Sequence, residues 1–194
     1  MEIEIHICDV GTERRRDWLD SFDRDFHPEH GRVLGKFISY RDDATLVWMH
    51  GFDDRAERTT SHEKAPASIS ETIHNLAPAI GSTITSLDQF DRVADPVLEL
   101  RQYRIASGMR ARFAAFLRDR TLEPQTRLGM NVYGPFDDLE DENVLTWFRG
   151  FPDLVARDRR KASFYQSELW LKELEREAFS MIEDYSNVML VAPV

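Results

Sequence analysis

Apolar and polar residues alternate from the start of the chain. Ile3, Ile5 and Ile7 are interleaved with Glu2, Glu4 and His6, the period of a strand with two unlike faces. Gly11 and Thr12 break that alternation, and Trp18, Leu19, Phe22 and Phe26 then recur at helical spacing until Pro28 and Gly31. Two apolar runs, VLGKFISY (33–40) and TLVWMHGF (45–52), flank Arg41-Asp42-Asp43 and predict a hairpin. The second half follows the same order. Leu98 and Leu100 alternate with Glu99 and Arg101, and Met109, Phe113, Phe116 and Leu117 mark one helix face, with Pro124 beyond its end. RLGMNVYGPF (127–136) and NVLTWFRGF (143–151) form a second hairpin. A helical segment over 152–182 places Leu171, Leu174, Ala178 and Met181 on one face, and NVMLVAPV closes as a strand. In the first half the matching region, 53–93, is more polar, and predicts a shorter or broken helix followed by a strand near 82–92.

The phrase Trp-x-x-Gly-Phe occurs at 48–52 and again at 147–151, 99 residues later. Around each copy the order is strand, helix, strand, strand, helix, strand, the ferredoxin-like βαββαβ motif. Such a half covers one sheet face with its helices and leaves the other bare, so two halves in one chain satisfy each other. The expected fold class is therefore α+β: two tandem ferredoxin-like halves packed sheet-to-sheet as a pseudo-dimeric α/β barrel. The halves span 1–94 and 97–194, with Ala94-Asp95-Pro96 at the boundary.

Composition narrows the function classes. A net charge of −10 argues against nucleic acid or an anionic membrane as partner, and no segment has the roughly 20 apolar residues that insertion requires. The opening residues lack the basic start and apolar run of a signal peptide, so the expected location is cytoplasmic. The single cysteine, Cys8, admits no intrachain disulfide and reads as a buried, inert thiol. His27 and His30 with Glu29 between them suit a solvated turn better than a metal site, and no metal or cofactor is expected. The acidic run 137–142 reads as a charged hairpin tip. Arg157, Arg159, Arg160 and Lys161 read as a surface-paired helix. P-loop, dinucleotide-binding and nucleophile-elbow motifs are absent.

LELRQYRIASGMRARF, then GMNVYGPFDDLEDENVLTWFRGFPDLVARDRRKASFYQSELW, then DYSNVMLVAP together resemble the NIPSNAP family across 97–194. In the first half only FISYRDDATLVWMHGF shares the likeness. That half carries His50 where the second copy has Arg149, and has no counterpart of Phe164-Tyr165 or Trp170. The resemblance implies a tandem member of the dimeric α/β-barrel superfamily, which includes cofactor-independent monooxygenases, haem-degrading enzymes and small-molecule isomerases. It implies no particular reaction. Mammalian members of the family are mitochondrial and act in trafficking and mitophagy through protein contacts.

Strand periodicity sorts the candidate chemistry. If Leu98 and Leu100 face the helices, Glu99, Arg101 and Tyr103 point into the barrel, as do Trp147 and Arg149, and in the first half Glu4, His6, Trp48 and His50. Arg101, Tyr103, Trp147, Arg149 and Trp48 would then hold a planar or anionic organic ligand between the halves. His6 or His50 is the candidate base, with Arg101 or Arg149 steadying the anion formed. Against this stands a plainer arrangement, in which Arg101 and Glu99 form a buried ion pair and the tryptophans fill core. The function is thus either small-molecule binding, with or without cofactor-independent catalysis, or a non-catalytic protein-interaction module with a solid barrel core. Pairing into a homodimer is compatible with both. An open barrel interior faced by Arg101 and Arg149 separates the first from the second.

Overall fold

The computed structural model describes residues 1–61, 65–90 and 93–194. The first half runs β1 (Glu2–Asp9), α1 (Arg15–Asp25), β2 (Arg32–Ser39), β3 (Thr45–Phe52), α2 (Arg55–Thr60), β4 (Ser70–Pro78) and a single turn, α3 (Leu87–Phe90). The second runs β5 (Val97–Ile105), α4 (Arg110–Phe116), α5 (Leu122–Arg127), β6 (Asn131–Asp138), β7 (Val144–Phe151), α6 (Leu154–Tyr165), α7 (Glu175–Phe179), β8 (Ile182–Asp184) and β9 (Val188–Pro193).

The strands pair in the order β4-β1-β3-β2 in the first half and β9-β5-β7-β6 in the second, all antiparallel. β2 pairs with β9, and β4 with β6, so the two sheets close into one eight-stranded barrel, with β8 a short extension on β5. The edges that an isolated ferredoxin-like half leaves open are therefore used within the chain.

An eight-stranded barrel has an interior just wide enough for side chains to fill. Here Ile3, Ile5, Val47, Met49, Leu98, Leu100, Phe136, Phe148 and Val191 fill it, joined by Ile84 and Phe90 from the segment linking the halves. Phe90 packs on Phe136 and Phe148 with ring centroids 5.8 and 6.5 Å apart. The isoleucines and leucines therefore face inward, and the opposite strand faces meet the helices. The assignment of Glu99, Arg101 and Tyr103 to the interior is thereby reversed. A narrow closed interior supplies no counter-charges, whereas the helices do.

Three local expectations also shift. The last strand of the first half is Ser70–Pro78 rather than a strand near 82–92; Leu87–Phe90 is helical, and residues 91–92 lie outside the described residues. The helix after Ser107-Gly108 runs past Pro124 to Arg127. A π-helical turn over Leu117–Thr121 precedes that proline and re-registers the chain, so Pro124 falls in a first turn, where its missing N–H costs little. The 152–182 helix is divided. Asp153 caps α6 by accepting from the Ala156 N–H at 2.6 Å, α6 stops at Tyr165, and a second π-helical turn, Trp170–Leu174, leads into α7.

The repeated Gly-Phe pairs are the last two residues of β3 and β7. Their glycines leave room for other parts of the fold. A Cβ on Gly150 would stand 2.0 Å from the Asp95 carboxylate, and one on Gly51 would stand 2.5 Å from Leu87. Both phenylalanines are completely buried.

Candidate functional site

On the helix-facing side of the second half-sheet, β5 carries Glu99, Arg101 and Tyr103 while β7 carries Trp147 and Arg149. The ladder sets Glu99 opposite Arg149 and Arg101 opposite Trp147. α6 lies over this face. Its Arg157, Lys161 and Tyr165, each four residues from the next, reach down to the sheet.

Glu99 has no solvent exposure. Its Oε2 accepts from Arg101 Nη1 at 2.7 Å, and its Oε1 accepts from Arg157 Nε at 2.7 Å and Lys161 Nζ at 2.9 Å. Arg149 Nη1 stands 3.8 Å from Oε2, beyond hydrogen-bond range. Arg149 Nη2 donates to Tyr165 Oη at 2.9 Å, and Arg101 Nη2 donates to Tyr103 Oη. Four cations thus surround one carboxylate. Arg149 Nη1 and Nε, Arg101 Nε and Trp147 Nε1 are buried donors with no acceptor among the described residues. A buried donor left unmatched is costly, so this cluster, whose side chains line one cavity, carries more donors than acceptors among the described residues.

Arg101, Tyr103, Trp147, Arg149, Arg157, Lys161 and Tyr165 line a cavity of about 560 Å³ between the sheet and its helices, with Glu99 behind them. Phe113, Phe116, Trp147, Phe164 and Trp170 form its apolar walls, and Phe179 and Tyr185, both part-exposed with ring centroids 5.3 Å apart, stand at its rim. Both π-helical turns touch it, through Leu117 and Thr121 from one and Trp170 from the other. Such irregular turns are commonly found at functional sites.

The charge imbalance sets the titration of the site. Burial pushes the Glu99 carboxyl up, but Arg101, then Arg149 and Lys161, more than reverse this and hold it at about 2. Because its folded value lies below its ordinary one, Glu99 stabilises the fold above pH 4.5 and loses that contribution as pH falls towards 2. The expected loss is roughly 3 kcal/mol, read as a fall in urea midpoint between pH 6 and pH 2.5.

The first half has the same register but a different filling. Glu4 stands opposite His50 and His6 opposite Trp48, as Glu99 and Arg101 stand opposite Arg149 and Trp147. Here α1 lays Phe22 and Phe26 edge-on against Trp48, with centroids 5.2 and 5.1 Å away. His6 stacks on Trp48 at 3.7 Å and bridges Glu71 and Glu4 through its two nitrogens, at 2.9 and 3.2 Å. His50 Nε2 donates to the His30 carbonyl at 2.8 Å. Cys8 is buried beside them; burial and the nearby Glu71 charge push its thiol up to about 12. Aromatic side chains occupy the volume that is open in the second half.

The structure thus brings Arg101, Tyr103, Trp147 and Arg149 to one cavity and leaves Trp48, His6 and His50 outside it, on the far side of the barrel. The cavity lies between sheet and helices of the second half, not between the halves. The barrel interior, expected to be open and faced by Arg101 and Arg149 if it held a ligand, is packed with apolar side chains, and both arginines face the helices. Sequence reasoning missed Tyr165, Arg157 and Lys161. The signal was their i, i+4, i+8 spacing beside Phe164, a polar-aromatic stripe on one helix face.

A closed antiparallel barrel of two ferredoxin-like halves is the dimeric α/β-barrel fold, built here from a single chain. Residues 98–193 match the NIPSNAP family, and the second half of the chain is a NIPSNAP domain. Among solved structures, the chain is similar to a candidate monooxygenase from Lactobacillus acidophilus (9% identity, TM-score 0.68, covering 99% of this chain and 93% of that one). It is also similar to an anthrone oxidase-like protein (9% identity, TM-score 0.67, covering 100% and 91%) and to a candidate chlorite dismutase (11% identity, TM-score 0.56, covering 100% and 95%). At these identities the likeness concerns the fold alone. Curated protein sequences contain no match to the chain. No helix among the described residues is long and apolar enough to cross a membrane.

Proposed function

We propose that the protein binds a flat, aromatic, anionic small molecule in the cavity between the second half-sheet and its helices. One observation carries the reading: an excess of buried guanidinium donors, Arg149 Nη1 foremost, on the wall of an aromatic cavity. A carboxylate, phenolate or enolate supplies the missing acceptor, and the indole and phenyl walls supply apolar contact along a ring. The first half reads as a degenerate copy of the second. Its equivalent positions support this, with His6 for Arg101 and His50 for Arg149, and its own site is filled by α1.

The packed barrel interior also fits an interaction module with a solid core. That alternative leaves the buried basic cavity without a purpose.

A thermal-shift comparison of 2-naphthoate with neutral 2-naphthamide tests the reading. At 100 times its dissociation constant the anion is expected to add about 2.7 kcal/mol, a rise of roughly 5–10 °C, with little from the amide. Arg149→Met is expected to weaken naphthoate roughly 10–100-fold, the value of a charge-assisted hydrogen bond, and His6→Ala to leave it unchanged. Equal shifts from acid and amide, or full affinity in Arg149→Met, overturn the reading.

A further inference from the structure

We propose that Tyr165 is the base of an enolisation carried out in this cavity, removing a proton from the carbon beside a ligand carbonyl while Arg149 and Arg101 hold the enolate oxygen. The proposal rests on the cavity being the ligand site.

Tyr165 ends α6 with its ring fixed on three sides. Trp170 meets it edge-on at 4.8 Å, Phe164 at 5.1 Å, and the Arg149 guanidinium lies over it at 5.5 Å. Its oxygen accepts from Arg149, and its own hydroxyl hydrogen has no acceptor among the described residues. Proton loss therefore breaks no internal hydrogen bond and leaves a phenolate beside two guanidinium groups.

The chain contains a built-in contrast. Tyr133 donates to the Asp95 carboxylate, and burial together with that bond pushes its hydroxyl up. Burial likewise raises Tyr103. At Tyr165 burial and, less strongly, the Glu99 charge act upwards, but Arg149 and then Arg101 outweigh them and bring the hydroxyl below the ordinary tyrosine value. The charged groups facing it are Glu99 and Arg101 from β5, Arg149 from β7, and Arg157 and Lys161 from α6 itself, with Glu175 also on the cavity wall. Cations predominate in that set.

The step is balanced without a co-reactant. The ligand C–H bond breaks and its pair becomes the new C=C bond. The carbonyl π pair moves onto oxygen, where the unmatched Arg149 Nη1 can donate, and the proton passes to the oxygen of Tyr165 in its phenolate form, which becomes the neutral phenol. Return of the proton to the same carbon gives exchange with solvent; return to a conjugated carbon gives isomerisation. The substrate class is therefore an aromatic ketone or keto acid with an acidic α-hydrogen. His6 and His50, the bases suggested by sequence, lie outside the cavity.

Exchange of the benzylic α-hydrogens of 2-tetralone in D2O, followed by proton NMR, tests this alongside the 2-naphthoate thermal shift. The unmodified protein is expected to accelerate exchange over buffer. Tyr165→Phe should lose at least roughly 100-fold of that acceleration, the scale of a general base, yet still bind naphthoate within about threefold. Tyr133→Phe should retain the exchange. A spectrophotometric titration of the unmodified protein should show one tyrosine ionising ahead of the others, a step missing in Tyr165→Phe. Undiminished exchange in Tyr165→Phe with naphthoate still bound overturns the base and spares the binding site; loss of both binding and exchange in the unmodified protein overturns both. The absence of an early-ionising tyrosine in the unmodified protein overturns the base whatever the variant does.

Discussion

Glu99→Gln is expected to lower the melting temperature by roughly 10 °C, more than any other polar substitution at the cavity. Glu99 is the carboxylate that Arg101, Arg149, Arg157 and Lys161 share, with only Arg157 also reaching a second one, the exposed Asp158, among the described residues, and Glu99 is completely buried. An amide of the same shape keeps the packing and removes the charge, leaving buried cations without their counter-ion. Breaking a buried pair from one side typically costs about 3–5 kcal/mol, and in a domain of this size each kcal/mol moves the midpoint by about 2–4 °C. Two further results separate this explanation from generic core damage. The fall in stability between pH 6 and pH 2.5 should be smaller in the variant by roughly 3 kcal/mol, the share that Glu99 contributes, while other carboxylates held low, Asp42 and Asp138 among them, still titrate. Saturating 2-naphthoate should then recover more stability in Glu99→Gln than in the unmodified protein, since the ligand restores the lost negative charge. Differential scanning fluorimetry with and without the ligand measures both.

Phe136→Ala should destabilise by about 3–5 kcal/mol without changing affinity for naphthoate. Phe136 is completely buried in the barrel, between Phe90 and Phe148 at 5.8 and 6.2 Å. Truncation opens a void in a closed interior where strands on every side are held by ladder hydrogen bonds, so little collapse relieves it. The cavity lies across the sheet from that void. Urea unfolding measures the first effect and isothermal titration at 15 °C the second. A large loss of affinity would put the ligand in the barrel.

The contrast between these substitutions shows where sequence reasoning holds and where it stops. Alternation established that Glu99, Arg101 and Tyr103 share a face and that Leu98 and Leu100 share the other, and the ladder agrees. Alternation cannot say which face meets the helices, because both are buried. In a half-solvated sheet the polar face points to water, but here one side is barrel and the other is helix. Closure decides the matter, by admitting aliphatic side chains to a narrow interior. The strand Ser70–Pro78 was hidden for a related reason. Much of it is exposed, and only Leu76–Pro78 pairs with β6, so its sequence lacks apolar alternation. Arg157 and Lys161 look like surface residues because their stems and partners become visible only when α6 is placed over Glu99. The one position where the Trp-x-x-Gly-Phe copies differ in charge, His50 against Arg149, lies on the helix-facing side of each half-sheet, and Arg149 lines the cavity while His50 does not.

The most direct test of the central claim is the position of a bound anion marked by a heavy atom. In crystals grown with 6-bromo-2-naphthoate, anomalous scattering from bromine is expected between the β5–β7 sheet face and α6, with the carboxylate within hydrogen-bond distance of Arg149. Bromine inside the barrel among Leu98, Phe136 and Phe148, or beside Trp48 and His50 in the first half, would contradict it.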